Sequence, residues 1–399
     1  MSPADLVAAG LNAVAIGAGG LTVMLAASRL PRLSASDRRP LTALIAITGI
    51  LTLDCAASVY ELSGAAVRHP QLIGGSILLL AWLPTALWLY VLGLVGRAGE
   101  RRGSVAAHVA ASALSSLCVL PLLLLPGGDR LALMQDRLVI STPGHIAMML
   151  GLSAFILLWS AHLVIAGVAT VRRLLRHRRE LRDVCSEVTG LELGWIDGLL
   201  LLVVCGVALT VADHLLLLGG GRALLDAAGS ALFEGAIILG FALFGLDQRR
   251  AVPVWAEDPE VLQAPPPEPA DDPAGRYARS SLTDADCADI VARLDRVMRE
   301  QEPWRDPFLN LKGLAARIPT RPYYLTQALN TALGRNFYDY VNGWRIAAAR
   351  AALEHGDTPV LTICEEVGFN SKSTFNTVFR RETGLTPSAY RQARAADPE

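Results

Sequence analysis

The first 247 residues alternate between long apolar runs and short polar breaks. Runs rich in Leu, Val, Ala, Ile and Gly occupy 5–28, 41–63, 72–96, 105–125, 145–170, 195–218 and 224–246. As helices rising about 1.5 Å per residue, each can cross roughly 30 Å of hydrocarbon. A bundle of soluble helices is the competing reading, and seven such runs in succession weigh against it. The pattern then changes. Trp255 to Gly275 holds six acidic residues, six prolines and no base, a composition that reads as a semi-extended tether. From Thr283 to Gln301 helical spacing returns, with Ile290, Leu294 and Val297 on one face.

Beyond Pro307 the pattern repeats at an offset of 50, pairing Leu311 with Leu361, Leu325 with Phe375, Leu329 with Phe379, Gly334 with Gly384 and Tyr340 with Tyr390. Each copy reads as a short helix, a tight turn, a second helix and a glycine stop, the helix-turn-helix plan. Between the copies, Phe337 to about His355 reads as one helix of some 19 residues. Its length, about 28 Å, approaches the ~34 Å between successive major-groove faces of B-DNA. Residues 305–394 hold 12 Lys/Arg against 7 Asp/Glu, a local charge of +5 that suits phosphate contact.

Charge also orients the apolar half. The whole chain is 52% hydrophobic with a net charge of −1, but the arginines are unevenly placed. Arg29, Arg32, Arg38 and Arg39 flank the first loop, and Arg97, Arg101 and Arg102 lie in the third. Arg172, Arg173, Arg176, Arg178, Arg179 and Arg182 fill the fifth. The second, fourth and sixth loops hold Arg68, then Arg130 and Arg137, then Arg222, so odd loops carry 13 and even loops 4. The positive-inside rule puts odd loops and the C-terminus in the cytoplasm and the N-terminus outside. The start "MSPADLVAAG" lacks a basic secretory leader, so the first run is expected to be retained. The fifth loop's arginines serve as a topogenic signal or as a site for anionic headgroups. Six scattered cysteines without a C-x-x-C pair argue against a disulfide framework or zinc site.

The segment "EEVGFNSKSTFNTVFRRETGLTPSAYR" carries a Gly-Phe turn, a Phe-x-x-x-Phe pair and Gly-x-Thr-Pro-x-x-Tyr-Arg. With "NFYDYVNGWRIAAARAAL" before it, residues 308–394 resemble the AraC/XylS-type DNA-binding domain. The first unit departs at Pro319, where that family usually has glycine. The resemblance implies double-stranded promoter DNA as partner. It places Lys372 at base edges and Ser373, Asn376 and Thr377 at base edges or phosphates in the second unit; in the first, Gln327 suits adenine, Thr326 and Asn330 share its face, and Tyr323 suits phosphate or a thymine methyl. Arg321, Arg380 and Arg381 are expected on phosphates, while Trp344 and Arg345 are expected to pack and form a salt bridge. Together with the apolar half, the chain resembles membrane-anchored AraC-like regulators of the bacterial inner membrane. RNA polymerase and a second copy of the chain are further partners such a regulator could take.

Charged groups inside a bilayer are costly and need a reason. Asp54, Ser58 and Glu61 share one helical face, as do Thr210, Asp213 and His214, and Asp226, Ser230 and Glu234; His145 opens the fifth run. Asp54, Glu61, Asp213, His214 and Glu234 form a candidate sensing cluster for a cation, a proton or a small signal ligand. Interhelical hydrogen bonding is the plainer reading. A transporter or membrane enzyme with a regulatory tail is an alternative supported only by these carboxylates, since no nucleophile–base motif and no pair of broken helices appears; no metal or cofactor is expected. A C-terminal domain that serves only protein contacts is a further alternative. The expected architecture is all-α: a seven-helix membrane domain over 1–250, a linker over 251–280, and a cytoplasmic domain of two helix-turn-helix units over 281–399.

Overall fold

The computed structural model describes residues 3–95, 102–186, 193–218, 224, 226–246, 282–354 and 357–396. The acidic tether lies outside these residues, as do Arg97, Arg101 and Arg222. No strand occurs among the described residues, only an isolated antiparallel bridge between Cys185 and Asn310. The chain divides into two compact units, 1–174 with 193–251, and 175–192 with 252–399. Residues 175–192, placed with the membrane half by sequence, thus belong to the second unit.

The first unit is built from α1 (Pro3–Arg29), α2 (Ala35–Leu62), α3 (Gly75–Leu80), α4 (Leu83–Val95), α5 (Arg102–Leu124), α6 (Gly127–Met134), α7 (Pro143–Val184) up to Leu174, α8 (Trp195–Leu218) and α9 (Ala227–Gly240). Among the described residues, seven helical stretches are long and apolar enough to cross a membrane, matching the seven runs. Its core joins Leu44, Ile47 and Leu51 of α2 to Tyr90 and Leu94 of α4 and Ile238 of α9. The outward faces are apolar as well: Leu6, Val14, Leu117, Leu124, Leu150, Leu157, Leu201 and Leu232 are all exposed. A soluble protein rarely leaves so much apolar surface uncovered.

Three details depart from the sequence reading. The third run is discontinuous, with α3 ending at Leu80 and α4 starting at Leu83. Pro84 lacks the N–H that would bond the Leu80 carbonyl four residues back, and the Trp159 indole N–H takes that carbonyl at 2.8 Å. Second, the arginine-rich fifth loop is helical, because α7 runs 42 residues to Val184. Residues 172–184 contain neither Gly nor Pro, and Arg, Leu and Glu favour helix. Third, Arg130 is a buried residue of α6, donating to the carbonyls of Leu125 at 3.1 Å, Gln71 at 2.7 Å, Ile73 and Leu123. It satisfies carbonyls around the end of α5 and the 3-10 turn Pro70–Leu72, a structural role in place of a surface topogenic charge.

The second unit begins with residues 175–186, the C-terminal part of α7 and the two residues after it. It continues with α10 (Asp284–Glu300), α11 (Leu311–Arg317), α12 (Pro322–Leu333), α13 (Phe337–Glu354), α14 (Val360–Glu366), α15 (Lys372–Thr383) and α16 (Pro387–Ala396). A reciprocal capping box starts α10: Thr283 Oγ1 accepts from the Asp286 N–H at 3.2 Å, and the Asp286 carboxylate accepts from the Thr283 N–H at 3.0 Å. The Thr283 hydroxyl, which donates to the Asp286 carboxylate at 2.6 Å, and the Thr283 N–H hold that carboxyl below the usual carboxylate range. The face Cys287, Ile290, Leu294 and Met298 is buried in the unit's core, with Val297 packed at its edge.

Candidate nucleic-acid interface

The repeat is real, but its offset is not constant. The first helices, α11 and α14, start at 311 and 360, while the second helices, α12 and α15, start at 322 and 372. The turn of the second unit is therefore one residue longer. Leu311 corresponds to Val360, not to Leu361, which is half exposed while Leu311 is fully buried. The two turns also differ in backbone. In the second, Gly368 sits at φ +85, where a Cβ would lie 2.6 Å from the Trp304 carbonyl oxygen. In the first, Pro319 sits at φ +22.

Each second helix is held by its apolar face. Pro322, Leu325, Ala328 and Leu329 of α12 are buried, as are Phe375, Val378 and Phe379 of α15. Phe369, Phe375, Phe379 and Tyr390 form a chain of ring contacts with centroids 5.3 to 5.6 Å apart. Ser371 caps α15 by accepting from the Thr374 N–H, and Asn310 caps α11 from the Gly313 N–H at 2.9 Å. Gly334 and Gly384 end α12 and α15 in the left-handed conformation.

The opposite faces carry the polar residues singled out by sequence. Lys372, Ser373, Thr377 and Arg380 of α15 are exposed and Asn376 is half-buried. On α12, Asn330 is exposed and Tyr323 and Thr326 are half-buried, with Arg321 exposed just before the helix. Gln327 is turned partly inward with its amide oxygen buried, so pairing with adenine requires that side chain to rotate. Arg381 is committed within the fold. Its guanidinium lies 2.8 Å from Asp339 of α13 and 2.9 Å from Glu382, tying the end of α15 to the start of the connecting helix. Phosphate contact would compete with that pair.

The connecting helix α13 spans 18 residues, about 27 Å at 1.5 Å per residue. Tyr390 of the C-terminal motif fastens α16 to it, since its Oη donates to Glu354 and accepts from Arg350 Nε at 3.0 Å, while Arg391 donates to the Thr358 carbonyl just before α14. Arg345, expected in a salt bridge, is fully buried and donates to the carbonyls of Trp304 at 2.8 Å, Asp306 at 2.9 Å and Ser186 at 3.2 Å. It also reaches Asn342 Oδ1 and Ser186 Oγ at 3.3 Å each.

In the first unit the polar groups assigned to one cluster separate. Asp54 hydrogen-bonds to Glu234 and to Ser76, Glu61 lies near Asp54, and the Cys55 thiol donates to Glu234 at 3.4 Å. Asp213 instead accepts from the Leu224 N–H, and His214 is half-buried, its buried Nε2 meeting no partner among the described residues. Asp226 caps α9 from the Gly229 N–H at 2.8 Å, and His145 bonds Asp129 at 3.3 Å. Two residues that sequence left without a role meet: His108 Nδ1 and His162 Nε2 are 2.9 Å apart, with Trp88 stacked on His108. They lie 54 residues apart on α5 and α7, and no spacing signal links them.

Two helix-turn-helix units on one connecting helix, with polar faces outward, define the DNA-binding domain of a transcription regulator. A family profile described as a helix-turn-helix domain matches residues 314–393. The regulatory protein SoxS of Escherichia coli is 31% identical over 103 residues, covering 26% of this chain and 90% of SoxS. The regulatory protein PocR of Salmonella typhimurium is 31% identical over 101 residues, a third of its own length. The transcriptional activator RhaS of Escherichia fergusonii is 32% identical over 114 residues, 38% of its length. No solved structure matches the chain. The chain belongs to the AraC/XylS family of helix-turn-helix transcription regulators. These similarities cover 25% to 29% of the chain, leaving the apolar half without a matched relative among them.

Proposed function

We propose that this regulator works from within a membrane: seven helices cross the bacterial inner membrane, and the second unit reads promoter DNA from the cytoplasmic side. The observation that carries the reading is the apolar outer surface of seven long helices in one chain with a complete two-headed DNA-binding domain. The excess of arginine in odd loops supports a cytoplasmic C-terminus. A reporter enzyme active only in the periplasm, fused after Arg250, should therefore be silent, while one that works only in the cytoplasm should be active. Periplasmic activity at that junction would remove DNA from the second unit's reach and end the proposal.

The first unit is better suited to sensing than to anchoring alone. A cavity of about 250 Å³ is walled by Leu51, Leu83, Phe155 and Trp159, with Thr210, Ser230 and Glu234 as its polar lining. Glu234 continues into the contact with Asp54 and Cys55. An apolar pocket with a few convergent polar groups is the usual form of a small-molecule site. Glu234 sets a carboxyl group, in hydrogen-bond contact with Asp54, against those apolar walls. A ligand with an apolar body and one basic group is the chemistry that complements it. Asp54→Asn and Glu234→Gln should leave membrane insertion and DNA binding intact but fix promoter output at one level. If both variants follow growth conditions as the parent does, the first unit is an anchor.

A further inference from the structure

The acidic tether is not the only covalent route into the DNA-binding unit. α7 is one continuous helix whose residues to Leu174 pack in the first unit and whose residues from Leu175 belong to the second. Its end is seated in the core of that second unit. Leu181, Val184 and Cys185 are buried in the same cluster as Leu309, Leu311, Tyr338 and Ile346. The backbone then pairs with the start of the first helix-turn-helix unit: Cys185 bridges Asn310, and Ser186 donates to the Leu309 carbonyl through its hydroxyl at 2.6 Å and its N–H at 3.4 Å. From the other side Arg345 of α13 holds the Ser186 carbonyl and hydroxyl. Arg182 lies over the Tyr338 ring of α13 at 5.8 Å.

The contacts fall on sensitive points. Asn310 is the residue that caps α11, so the segment abuts the first residue of the first reading unit. Arg345 sits on the helix that sets the separation of the two units, and through the Trp304 carbonyl it reaches the stretch of backbone that packs on Gly368 in the second turn. One short segment thus touches the first unit directly and the second through one intermediary. Burial also pushes the Cys185 thiol up to about 12, well above the ordinary thiol range, as expected for a side chain sealed in a core.

We propose that residues 181–186 are a built-in ligand of the DNA-binding unit, a strap by which a change at the fifth long helix is passed to the reading helices. This rests on the reading of the chain as a membrane-embedded DNA-binding regulator. The strap is packed into the core of the unit it would act on. On this account the strap favours the DNA-competent arrangement, and its release lowers affinity.

The test uses the full chain in lipid nanodiscs and two readouts. The first is maleimide labelling of Cys185, located by peptide mass spectrometry. The second is affinity for genomic DNA fragments recovered with the parent chain. In the parent, Cys185 should label at least tenfold more slowly than in the urea-unfolded chain. Val184→Asp should expose it and lower DNA affinity roughly tenfold, and the milder Ser186→Ala should move both in the same direction by less. In the double variant Val184→Asp/Asn310→Cys, oxidation should join Cys185 to the thiol introduced at position 310 and restore affinity, because paired antiparallel residues lie within disulfide reach. Labelling of Cys185 in the parent at the unfolded rate overturns the strap. So does undiminished affinity in a variant whose Cys185 has become reactive, or a disulfide that restores nothing. A parent chain that binds no DNA at all, with Cys185 still protected, would instead remove the regulator reading and leave the docking intact.

Discussion

Arg345→Ala should unfold or loosen the entire DNA-binding unit, at a cost on the order of 3–5 kcal/mol. The side chain is fully buried and supplies donors to the carbonyls of Trp304, Asp306 and Ser186, to Asn342 and to the Ser186 hydroxyl. Its guanidinium also lies over the Phe369 ring at 5.4 Å. An alanine leaves those carbonyls in a dry interior without partners and opens a cavity as well. A domain stable by about 5–15 kcal/mol loses a large part of its margin. Arg345→Lys keeps the charge but not the planar fork of donors, so its loss should be intermediate. Limited proteolysis of the full chain in nanodiscs, following a product covering 282–396, reads the effect. Digestion of Arg345→Ala at the parent rate would mean that this network contributes little.

Local pattern carries much of the fold into view. Among the described residues, seven apolar runs become seven helical stretches long enough to span, because length and composition alone decide that property. The connecting helix, expected over Phe337 to about His355, spans Phe337–Glu354, and the glycines at 334 and 384 end their helices as their left-handed conformation requires. What stays hidden is of two kinds. One is local chemistry read through the wrong feature. Dense arginine at 172–182 suggests a loop, though arginine is a good helix former and nothing there breaks a helix. Pro84 is inconspicuous inside an apolar run, yet it splits the third span. A repeat read at one fixed offset conceals the extra residue in the second turn.

The other kind is long-range pairing, which helical periodicity cannot report. Arg345 meets Ser186 across 159 positions, Cys55 meets Glu234 across 179, and His108 meets His162 across 54. Stripes on separate helices are legible as stripes. That Asp54 and Glu234 converge while Asp213 and Asp226 take local backbone partners depends on how the helices pack. Among the residues expected to face DNA, nothing in the pattern separates Arg380 from Arg381. The fold separates them, because only Arg381 faces Asp339.

Lys372 and Asn376 are the residues whose loss should most change what the protein reads. Both stand on the outward side of α15, anchored from behind by Phe375 and Phe379. A lysine ammonium donates to guanine O6 and N7, and an asparagine amide can pair with adenine N6 and N7. Each such contact is worth about 1–3 kcal/mol of discrimination, roughly 5- to 150-fold. Lys372→Ala and Asn376→Ala should therefore flatten the preference for specific sites, while stability stays close to the parent because neither side chain is in the core. Arg380→Ala should behave differently, weakening all sequences alike and lowering the salt slope by about one. Equal discrimination between selected and random DNA in all three variants would take base reading away from α15.

The most direct measurement is to crosslink DNA to the full-length chain in living cells, isolate the membrane fraction, and sequence what is recovered. A membrane-embedded regulator should bring down a small, reproducible set of promoter sites in that fraction, and the Lys372→Ala/Asn376→Ala double variant, inserted equally well, should lose them. The account is contradicted if the chain is found outside the membrane fraction, or if parent and double variant recover the same DNA.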